Sequence, residues 1–312
     1  MKVAIQMDPI GGIDINADST FRLAEEAQSR RAELFYYHPD KLAWDEGRVT
    51  ATGWPLTVRR VKGDHFTLGE QATIALDDVD VVWLRQDPPF DMGYITTTHL
   101  LDQVKGALVV NNPTWVRNYP EKLLVLQFPE LTPPTLIARD LDAIRAFRAR
   151  HGDIIVKPLY GNGGAGVFRL KPEDNNLVSL HEMFTGINTE PLIAQKFLPD
   201  VSNGDKRIIL VDGDPIGAIN RVPPAGETRS NLHVGGTAEQ IGLTTRDKEI
   251  CDAIGPLLRE KGQVFVGIDV IGDYLTEINL TSPTGIQELE RFDGVNVAGA
   301  IWDAIERHVA DR

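Results

Sequence analysis

Oxygen-bearing side chains interrupt two adjoining apolar segments near the C-terminal end of the chain. Residues 266–279 predict two strands joined at Gly272-Asp273, with Asp269 on the first strand and Glu277 and Asn279 on the second. Residues two apart on a strand point to the same face, so Glu277 and Asn279 share one. Carboxylate and amide oxygens suit a hard cation such as Mg2+. The pattern indicates a metal site, and the alternative is a half-exposed hairpin whose acids are solvated.

The turn decides whether the three side chains meet. A two-residue turn at Gly272-Asp273 alone would place Asp269 opposite Thr276, on the face away from Glu277. A three-residue loop over residues 272–274, or a bulge, would place Asp269 opposite Glu277. Metal binding therefore predicts the longer loop or a bulge.

A glycine-rich loop follows Lys157 and connects two further predicted strands. Glycines allow positive φ and let consecutive N–H groups point at phosphate oxygens. The loop has no Gly-Lys-Ser/Thr ending, and a strand rather than a helix follows it. These two features exclude a Walker A loop and the dinucleotide fingerprint. A phosphate-covering loop is one interpretation, and a flexible hairpin with a surface lysine is the other.

Basic residues and a long polar loop form a third candidate region. Lys206, Arg207, Arg221 and Arg229 are positively charged in an otherwise acidic chain, and residues 222–237 are polar and rich in glycine. Long structureless loops in compact domains are often lids. Each arginine alone fits a solvated surface. Together with the glycine loop and the acidic hairpin, the set indicates a Mg2+-nucleotide site with a closing lid.

Composition limits the function classes. The chain has 312 residues, 42% of them hydrophobic, which suffices for roughly two domains. The net charge of −13 disfavours nucleic acid or an anionic membrane as a partner. The single cysteine, Cys251, excludes an intramolecular disulfide and is expected to be a buried small hydrophobe. Neither a signal peptide nor an apolar run of ~20 residues is seen, so a cytoplasmic location is expected.

The first third of the chain alternates strands and helices, which predicts a doubly wound α/β unit. Loops at the C-terminal ends of its strands, residues 8–12 and 85–91, are expected to bind ligand. Residues 48–60 are interpreted as an inserted hairpin. The predicted strands are residues 3–7, 34–37, 79–84 and 107–110, and the predicted helices are residues 94–104 and a helix that Asp18 or Ser19 caps and that ends near Arg31.

Residues 112–120 are expected to form a domain boundary, because they are rich in asparagine and proline. Beyond them, adjacent strands predict an α+β region with antiparallel sheets. The predicted helices are residues 120–127, 141–150, 245–260 and 295–308. The predicted strands are residues 135–138, 153–157, 167–170, 192–197, 206–211 and 215–221.

Seven short strings of residues extend in order from residue 7 to residue 284. They are Met7-Asp8-Pro9-Ile10; Arg85-x-Asp87-Pro88-Pro89-Phe90-Asp91; Glu121-Lys122-Leu123; Lys157-Pro158-Leu159-x-Gly161-x-Gly163-Gly164; Gly204-Asp205-Lys206-Arg207; Gly226-Glu227-Thr228-Arg229-x-Asn231; and Thr276-Glu277-Ile278-Asn279-x-Thr281-Ser282-Pro283-Thr284. The set resembles the bacterial glutathione synthetases of the ATP-grasp superfamily. Gln86, Asn162 and Gly285 are expected to depart from the commonest members, which bears on fine specificity more than on reaction type.

The resemblance implies a fold and an activity. The implied fold is an N-terminal doubly wound α/β (pre-ATP-grasp) domain, residues 1–118, followed by an α+β ATP-grasp fold with subdomains at residues 119–198 and 199–312. The implied reaction joins γ-L-glutamyl-L-cysteine to glycine with ATP, through an acyl phosphate. Mg2+, with Mn2+ as a substitute, is the implied cofactor, and a homo-oligomer, a dimer or tetramer, is the implied assembly.

The resemblance also implies roles for individual residues. The nucleotide-binding set is Lys122, Lys157, Gly161, Asn162, Gly163, Gly164, Gln195, Lys196, Phe197, Leu198, Asp205 and Lys206. The catalytic set is Arg207, Arg221 and Arg229, and residues 222–237 are the lid. The substrate-binding set is Asp8, Arg85, Asn231, Ser282 and Thr284. The metal ligands are Asp269, Glu277 and Asn279.

Two rival functions stay open on the sequence. Another ATP-grasp carboxylate–amine ligase would share the nucleotide half, but the string at residues 85–91 argues against it. A non-catalytic nucleotide-binding module is the second rival. The presence of both acids and of the basic strand residues argues against that one.

Overall fold

Three sheets organise the chain in a computed structural model that describes residues 1–187, 189–224, 230 and 235–312. The strands are β1 (Lys2–Met7), β2 (Glu33–Tyr37), β3 (Leu42–Asp45), β4 (Arg48–Val58), β5 (Phe66–Leu68), β6 (Ala72–Ala75), β7 (Val81–Arg85), β8 (Leu108–Val110), β9 (Thr135–Ala138), β10 (Ile154–Pro158), β11 (Phe168–Leu170), β12 (Leu192–Lys196), β13 (Asp205–Val211), β14 (Asp214–Val222), β15 (Thr237–Ile241), β16 (Phe265–Ile271) and β17 (Tyr274–Asn279). The helices are α1 (Ser19–Ser29), α2 (Met92–Leu101), α3 (Pro113–Asn118), α4 (Leu141–His151), α5 (Leu177–Ile187), α6 (Thr245–Glu260), α7 (Ile286–Asp293) and α8 (Val297–Ala310).

The first sheet has the predicted doubly wound core. Its order is β3-β4-β2-β1-β7-β8, and β1 pairs in parallel with both β2 and β7. Every residue of β7 is buried, as is usual for a parallel strand covered on both faces. Helix α1 begins where Asp18 accepts a hydrogen bond from the Phe21 backbone N–H, one of the two caps the sequence allowed. The carboxyl ends of β1 and β7 therefore open on one edge of the sheet.

Two local predictions are wrong. Residues 48–60 are not a hairpin, because β4 is a single strand that pairs with β2, β3, β5 and β6. The turn lies earlier, at Glu46-Gly47, where both residues have positive φ. Residues 120–127 are not an α-helix, since only Leu124–Gln127 form a 3-10 turn. Their backbone contacts β17 instead: the Ile278 N–H donates to the Glu121 carbonyl.

The other two sheets are antiparallel, so the α+β prediction is confirmed. Their orders are β11-β10-β12-β9 and β15-β14-β13-β16-β17. Helix α6 has its predicted ends, and Cys251 is buried within it. Helices α5 and α7 and strand β15 were not predicted. Across the described residues, no helix is long and apolar enough to cross a membrane.

Two of the three apolar cores extend across the junction near residue 118, and the division into domains stays a prediction. Two large apolar clusters each mix residues of the first sheet with residues of the third; in one of them the rings of Trp83 and Trp302 meet at 4.9 Å. A third cluster is made within the second sheet and its helices, from Ile144 to Ala194. The first and third sheets thus share a core, and the second sheet has one of its own.

Candidate active site

A cavity of about 1210 Å3 lies where the three sheets meet. One end is lined by the loops after β1 and β7 and by the start of α1. The other end is lined by the glycine loop, the end of β12 and the face of β16 and β17. Both loops expected to bind ligand, residues 8–12 and 85–91, contribute to its wall.

The hairpin of β16 and β17 brings the three metal-ligand candidates to one face. Asp269 lies opposite Glu277, and Gly267 lies opposite Asn279. The Nδ2 atom of Asn279 lies 3.4 Å from Asp269 Oδ2. All three side chains line the cavity. The structure therefore brings Asp269, Glu277 and Asn279 together.

A β-bulge, rather than a longer turn, produces this register. Ile271 pairs with Tyr274, so the turn contains only residues 272–273 and the expected three-residue loop is wrong. The register shifts after Asp269, which leaves Thr276 as the extra residue of β17. The Thr276 hydroxyl donates to the Asp269 carbonyl at 3.1 Å. The bulge that the sequence offered as the other solution is confirmed.

Two arginines neutralise Asp269. Arg207 donates through Nε to Oδ1 at 2.6 Å and through Nη2 to Oδ2 at 3.1 Å. Arg221 Nη2 lies 3.0 Å from Oδ1. Burial alone would raise the pKa of the Asp269 carboxyl, but the two guanidinium groups outweigh it and hold that pKa well below its usual range. Asp269 is therefore a permanent anion of the cavity wall.

Two lysines neutralise Glu277. Lys157 Nζ lies 3.1 Å and Lys122 Nζ 3.6 Å from Glu277 Oε1. Burial opposes ionisation, yet both ammonium groups together lower the pKa of Glu277. Lys122 also donates to the Gly161 carbonyl at 2.6 Å, which fixes the start of the glycine loop over the hairpin. Four cations thus surround two carboxylates.

Asp205 extends this charge network at the start of β13. Its Oδ2 accepts from Arg221 Nη2 at 2.6 Å and from the Ser230 hydroxyl at 2.9 Å. Burial raises the pKa of Asp205 to about 6, because the Arg221 guanidinium offsets only part of the desolvation and Asp269 adds repulsion. Arg221 is shared between Asp205 and Asp269, which couples the two acids.

The glycine loop and β12 form the far wall. Gly161, Asn162, Gly163 and Gly164 line the cavity, as do residues 195–198. Gly163 and Gly164 have positive φ, which glycine adopts without strain. Pro133, Ile155, Val201 and Ile271 add apolar surface beside residues 195–198. This end of the cavity combines apolar and cationic side chains, which suits a purine ring attached to phosphates.

The substrate candidates of the N-terminal half line the opposite end. Asp8 Oδ2 accepts from the Asp87 backbone N–H at 2.8 Å, which ties the β1 loop to the β7 loop. Arg85 is 3% exposed, and its Nη2 donates to the Pro283 carbonyl at 3.0 Å. Ser282 and Thr284 flank that proline in the cavity wall. The structure brings Asp8, Arg85, Ser282 and Thr284 to one end.

Comparison with known sequences assigns the chain to a family. The profile of the prokaryotic glutathione synthetase ATP-grasp domain matches residues 121–294, and that of the N-terminal domain matches residues 1–117. The chain belongs to the prokaryotic glutathione synthetase family. A glutathione synthetase from Brucella melitensis is 59% identical over 98% of each chain, one from Agrobacterium fabrum is 57% identical over 98% of this chain and 96% of that one, and one from Vibrio parahaemolyticus is 45% identical over 99% of each.

Solved structures support the ATP-grasp fold. The D-cycloserine synthetase DcsG matches with a TM-score of 0.70 and 16% identity, covering 99% of this chain and 100% of that one. A RimK domain ATP-grasp protein from Sphaerobacter thermophilus matches with a TM-score of 0.64 and 17% identity, covering 97% and 99%. Within this family and fold, the chain is an ATP-dependent ligase.

The side chain of Lys206 does not line the cavity. It lies between Asp205 and Arg207 on β13, and alternation turns its side chain to the other face of the sheet. There it forms a buried ion pair with Asp247 on α6. Its position therefore does not support the predicted contact with the nucleotide.

Arg229, Asn231 and most of the expected lid lie outside the described residues. Of residues 225–234, the structure describes Ser230, whose contact with Asp205 is given above. The predicted roles of Arg229 and Asn231 remain predictions.

Sequence reasoning gave no role to Glu121, which the structure places in the cavity. Glu121 accepts from the Thr281 hydroxyl at 3.2 Å, and Lys122 Nζ lies 3.8 Å from it. Burial raises the pKa of Glu121, only partly offset by Lys122, and Glu277 adds repulsion. Its position beside Lys122 in a recognised string was the available signal.

The donor set of the hairpin fits a hard cation. Two carboxylates and one amide face the same space, which is the oxygen chemistry that Mg2+ and Mn2+ accept. Within the described residues, no three histidine, cysteine, aspartate or glutamate side chains cluster tightly enough to hold a metal by themselves. A metal here would need further oxygens from a ligand, such as those of a triphosphate.

Proposed function

We propose how this cavity carries out the reaction of its family, the ATP-dependent condensation of γ-L-glutamyl-L-cysteine with glycine to glutathione, ADP and phosphate. One observation carries the proposal: four cations, Lys122, Lys157, Arg207 and Arg221, surround two ionised carboxylates in a cavity that also reaches Arg85. Cations at both ends of the cavity match an anionic nucleotide triphosphate and an acidic dipeptide.

The nucleotide occupies the end lined by the glycine loop. Residues 195–198, with Ile155 and Val201, receive the adenine ring, and Lys122 and Lys157 contact the phosphates. Gly161, Gly163 and Gly164 lie over the phosphates, where a side chain at any of these three positions would keep the backbone away. The lysines already lie within 3.6 Å of Glu277, so they reach the phosphates and the metal site from one position.

Asp269, Glu277 and Asn279 would hold Mg2+, with Mn2+ as a substitute. A divalent ion, when bound, neutralises charge on the β- and γ-phosphates. The chain's own contribution is to keep both carboxylates ionised: the arginines and lysines hold the pKa values of Asp269 and Glu277 low despite their burial.

Arg207 and Arg221 face the phosphoryl group during transfer. The cysteinyl carboxylate of the dipeptide attacks the γ-phosphorus, the bond to ADP breaks, and an acyl phosphate forms. The amine of glycine then attacks the acyl carbon, phosphate leaves with the bonding electrons, and the amine loses a proton. Both guanidinium groups are fixed by Asp269 before reaction, so they need little reorganisation to stabilise the developing charge.

Water must be kept from the acyl phosphate, and the loop at residues 222–237 is proposed to close over it. Ser230 supports this role, because its hydroxyl reaches Asp205 at the cavity edge. We also propose that, from this loop, Arg229 takes part in catalysis and Asn231 binds substrate. A cytoplasmic location and a homo-oligomer, a dimer or tetramer, complete the proposal; light scattering on the purified protein tests the assembly.

Glu277→Gln tests the proposed metal and phosphate site. The change removes charge at nearly constant shape, so kcat/KM for ATP should fall about 100-fold and its dependence on Mg2+ concentration should shift upward, with the fold retained. Phosphate release with γ-glutamylcysteine and glycine is the measurement. Glu173→Gln, at an exposed turn, is the matched control.

Three results would overturn the proposal. Unchanged kcat with a normal Mg2+ dependence in Glu277→Gln would remove the metal role. Phosphate release by the unaltered protein with D-alanine, but not with γ-glutamylcysteine plus glycine, would assign the chain to another carboxylate–amine ligase. Tight ATP binding without any turnover would indicate a nucleotide-binding module.

A further inference from the structure

Arg169, on the edge strand β11 of the second sheet, stacks on an aromatic side chain of the cavity wall. Its guanidinium carbon lies 3.7 Å from the centre of the Phe197 ring. At that distance the planar guanidinium lies against a face of the ring, which is the geometry in which a cation is attracted to the π system. Phe197 lines the cavity at the end proposed to receive adenine. Arg169 therefore contacts a wall residue of the nucleotide end.

Asp153, the residue before β10, anchors both partners of this contact. Its carboxylate accepts from Arg169 Nε at 3.0 Å and also from Nη2, and its carbonyl accepts from the Phe197 backbone N–H at 2.9 Å. The side chains of Arg169 and Asp153 are 34% and 29% exposed, so their ion pair contributes little to stability. Two hydrogen bonds from one guanidinium to one carboxylate nevertheless fix its orientation. Asp153 therefore sets the guanidinium and the backbone of Phe197 relative to one another.

The strand register places Arg169 in line with the nucleotide end of the cavity. Arg169 lies opposite Ile155 on β10, and Ile155 lies opposite Gln195 on β12. Directly opposed residues share one face of a sheet, and both Ile155 and Gln195 line the cavity. The alternate residues Ile154 and Leu170 belong to the third apolar cluster, on the other face. Arg169 thus continues the cavity face of the second sheet to its edge.

We propose that Arg169 is a positioning residue for the nucleotide: it holds the Phe197 ring in place for the adenine base, with Asp153 as its anchor. The inference rests on the proposed placement of adenine at residues 195–198. An aromatic side chain that is already held loses less conformational entropy when a ligand packs on it. Removal of Arg169 should therefore weaken nucleotide binding and leave the chemical step unchanged.

Calorimetric binding of ADP with Mg2+ to the full-length protein tests the inference without turnover. Arg169→Ala should raise Kd for ADP about fivefold, the factor that corresponds to one exposed cation–π contact. Arg169→Lys keeps a cation beside the ring and should lose less affinity. In steady state, KM for ATP should rise in Arg169→Ala while kcat stays unchanged. Arg145→Ala, which removes an exposed arginine paired with Asp142 on α4, is the matched control and should bind ADP like the unaltered protein.

A double-mutant cycle shows whether Arg169 acts through the ring. Phe197→Leu should raise Kd for ADP by itself, and the addition of Arg169→Ala to that variant should cause no further rise. An equal effect of Arg169→Ala with and without the ring would overturn the inference. An unchanged Kd in Arg169→Ala would also overturn it, and a lower unfolding stability in that variant would then show a merely structural role.

The same measurements separate this inference from the function it rests on. Weaker ADP binding in Phe197→Leu but not in Arg169→Ala would overturn the role of Arg169 alone. An unchanged Kd in Phe197→Leu would show that adenine lies elsewhere, and would overturn its proposed placement together with the inference. If the unaltered protein formed no glutathione, the proposed reaction would be wrong, whereas the ADP measurements would still decide the role of Arg169.

Discussion

Charged side chains on β13 of the third sheet alternate between the face that lines the cavity and the face that packs against α6. Neighbouring residues therefore have different roles. Asp205 and Arg207 point into the cavity, whereas Lys206 between them pairs with Asp247 against α6. Asp247 is 1% exposed and also accepts from the Thr244 backbone and hydroxyl, so it belongs to the cap of α6. The Lys206 pair thus stabilises the helix on the back of the sheet, away from the chemistry.

Lys206→Met should lower the free energy of unfolding and leave nucleotide use intact. The change leaves Asp247 buried without its cation, a loss of about 3 kcal/mol for a broken buried pair. Chemical denaturation measures the stability, and KM for ATP should stay within about twofold of the unaltered enzyme. Lys248→Met, at an exposed position on the same helix, is the control. A large rise in KM for ATP with unchanged stability would restore Lys206 to the nucleotide site.

The sequence could locate the residues of this site more easily than their orientation. Asp269 and Glu277 were detectable because charge inside an apolar strand is costly without compensation. Which face Lys206 takes depended on where β13 begins, and the string Gly204-Asp205-Lys206-Arg207 does not reveal that. Ser19 was visible only as a possible helix cap. Its burial arises from the fold around it.

At the scale of helices and strands, short connections between strands determine which side chains line the cavity. The bulge at Thr276 sets the face of Glu277, and the glycine loop lies over it through the Lys122 contact with Gly161. In the same loop, Gly166 has a φ of +70°, and a Cβ there would lie 2.9 Å from Pro158 Cγ. The backbone of the glycine loop is therefore constrained at its C-terminal end as well as at its N-terminal end.

Gly166→Ala should disturb the loop and hence ATP use. A positive φ costs a residue with a side chain roughly 1–2 kcal/mol, and the contact with Pro158 adds to it. If the loop conformation that binds ATP is destabilised by that energy, KM for ATP should rise about tenfold. Steady-state kinetics measure this effect. Gly242→Ala, where an added Cβ meets nothing within 4 Å, should leave KM for ATP unchanged; equal effects of the two changes would contradict a specific role for the loop exit.

Local patterns predicted most elements, and contacts between elements account for the failures. Gly53 lies inside β4 because its missing Cβ lets the strand approach the Tyr36 carbonyl, not because the chain turns there. The helix predicted at residues 120–127 does not form, because the Glu121 carbonyl accepts a hydrogen bond from the Ile278 N–H of β17. Both outcomes depend on partners distant in the sequence, which periodicity does not contain.

At the scale of the whole molecule, apolar packing among the described residues joins the first sheet to the third, and the second sheet has a cluster of its own. Residues of the first and third sheets intermix in two apolar clusters, and α8 packs near the end of the chain through Trp302 against Trp83. Asn111, where the N- and C-terminal parts join, donates to the Phe265 and Leu280 carbonyls and accepts from the Phe265 N–H.

Residues 1–118 expressed alone should fail to fold, because their apolar surface is completed by the third sheet and α8. Near-ultraviolet circular dichroism should lack tertiary signal, and denaturant should give no cooperative transition. Residues 129–198 expressed alone, which contain the third cluster, are the matched fragment and should retain a cooperative transition. A folded 1–118 fragment would contradict a shared core.

The shared core has a consequence for how such enzymes can exchange specificity. Arg85, expected to bind the donor, is in the N-terminal part, yet the strands beneath it are packed against the C-terminal part. Recombination at the junction near residue 118 would therefore break two buried interfaces at once, whatever the chemistry of the incoming half. New donor preferences in this architecture should arise through single substitutions around Arg85 rather than through the exchange of whole N- or C-terminal parts.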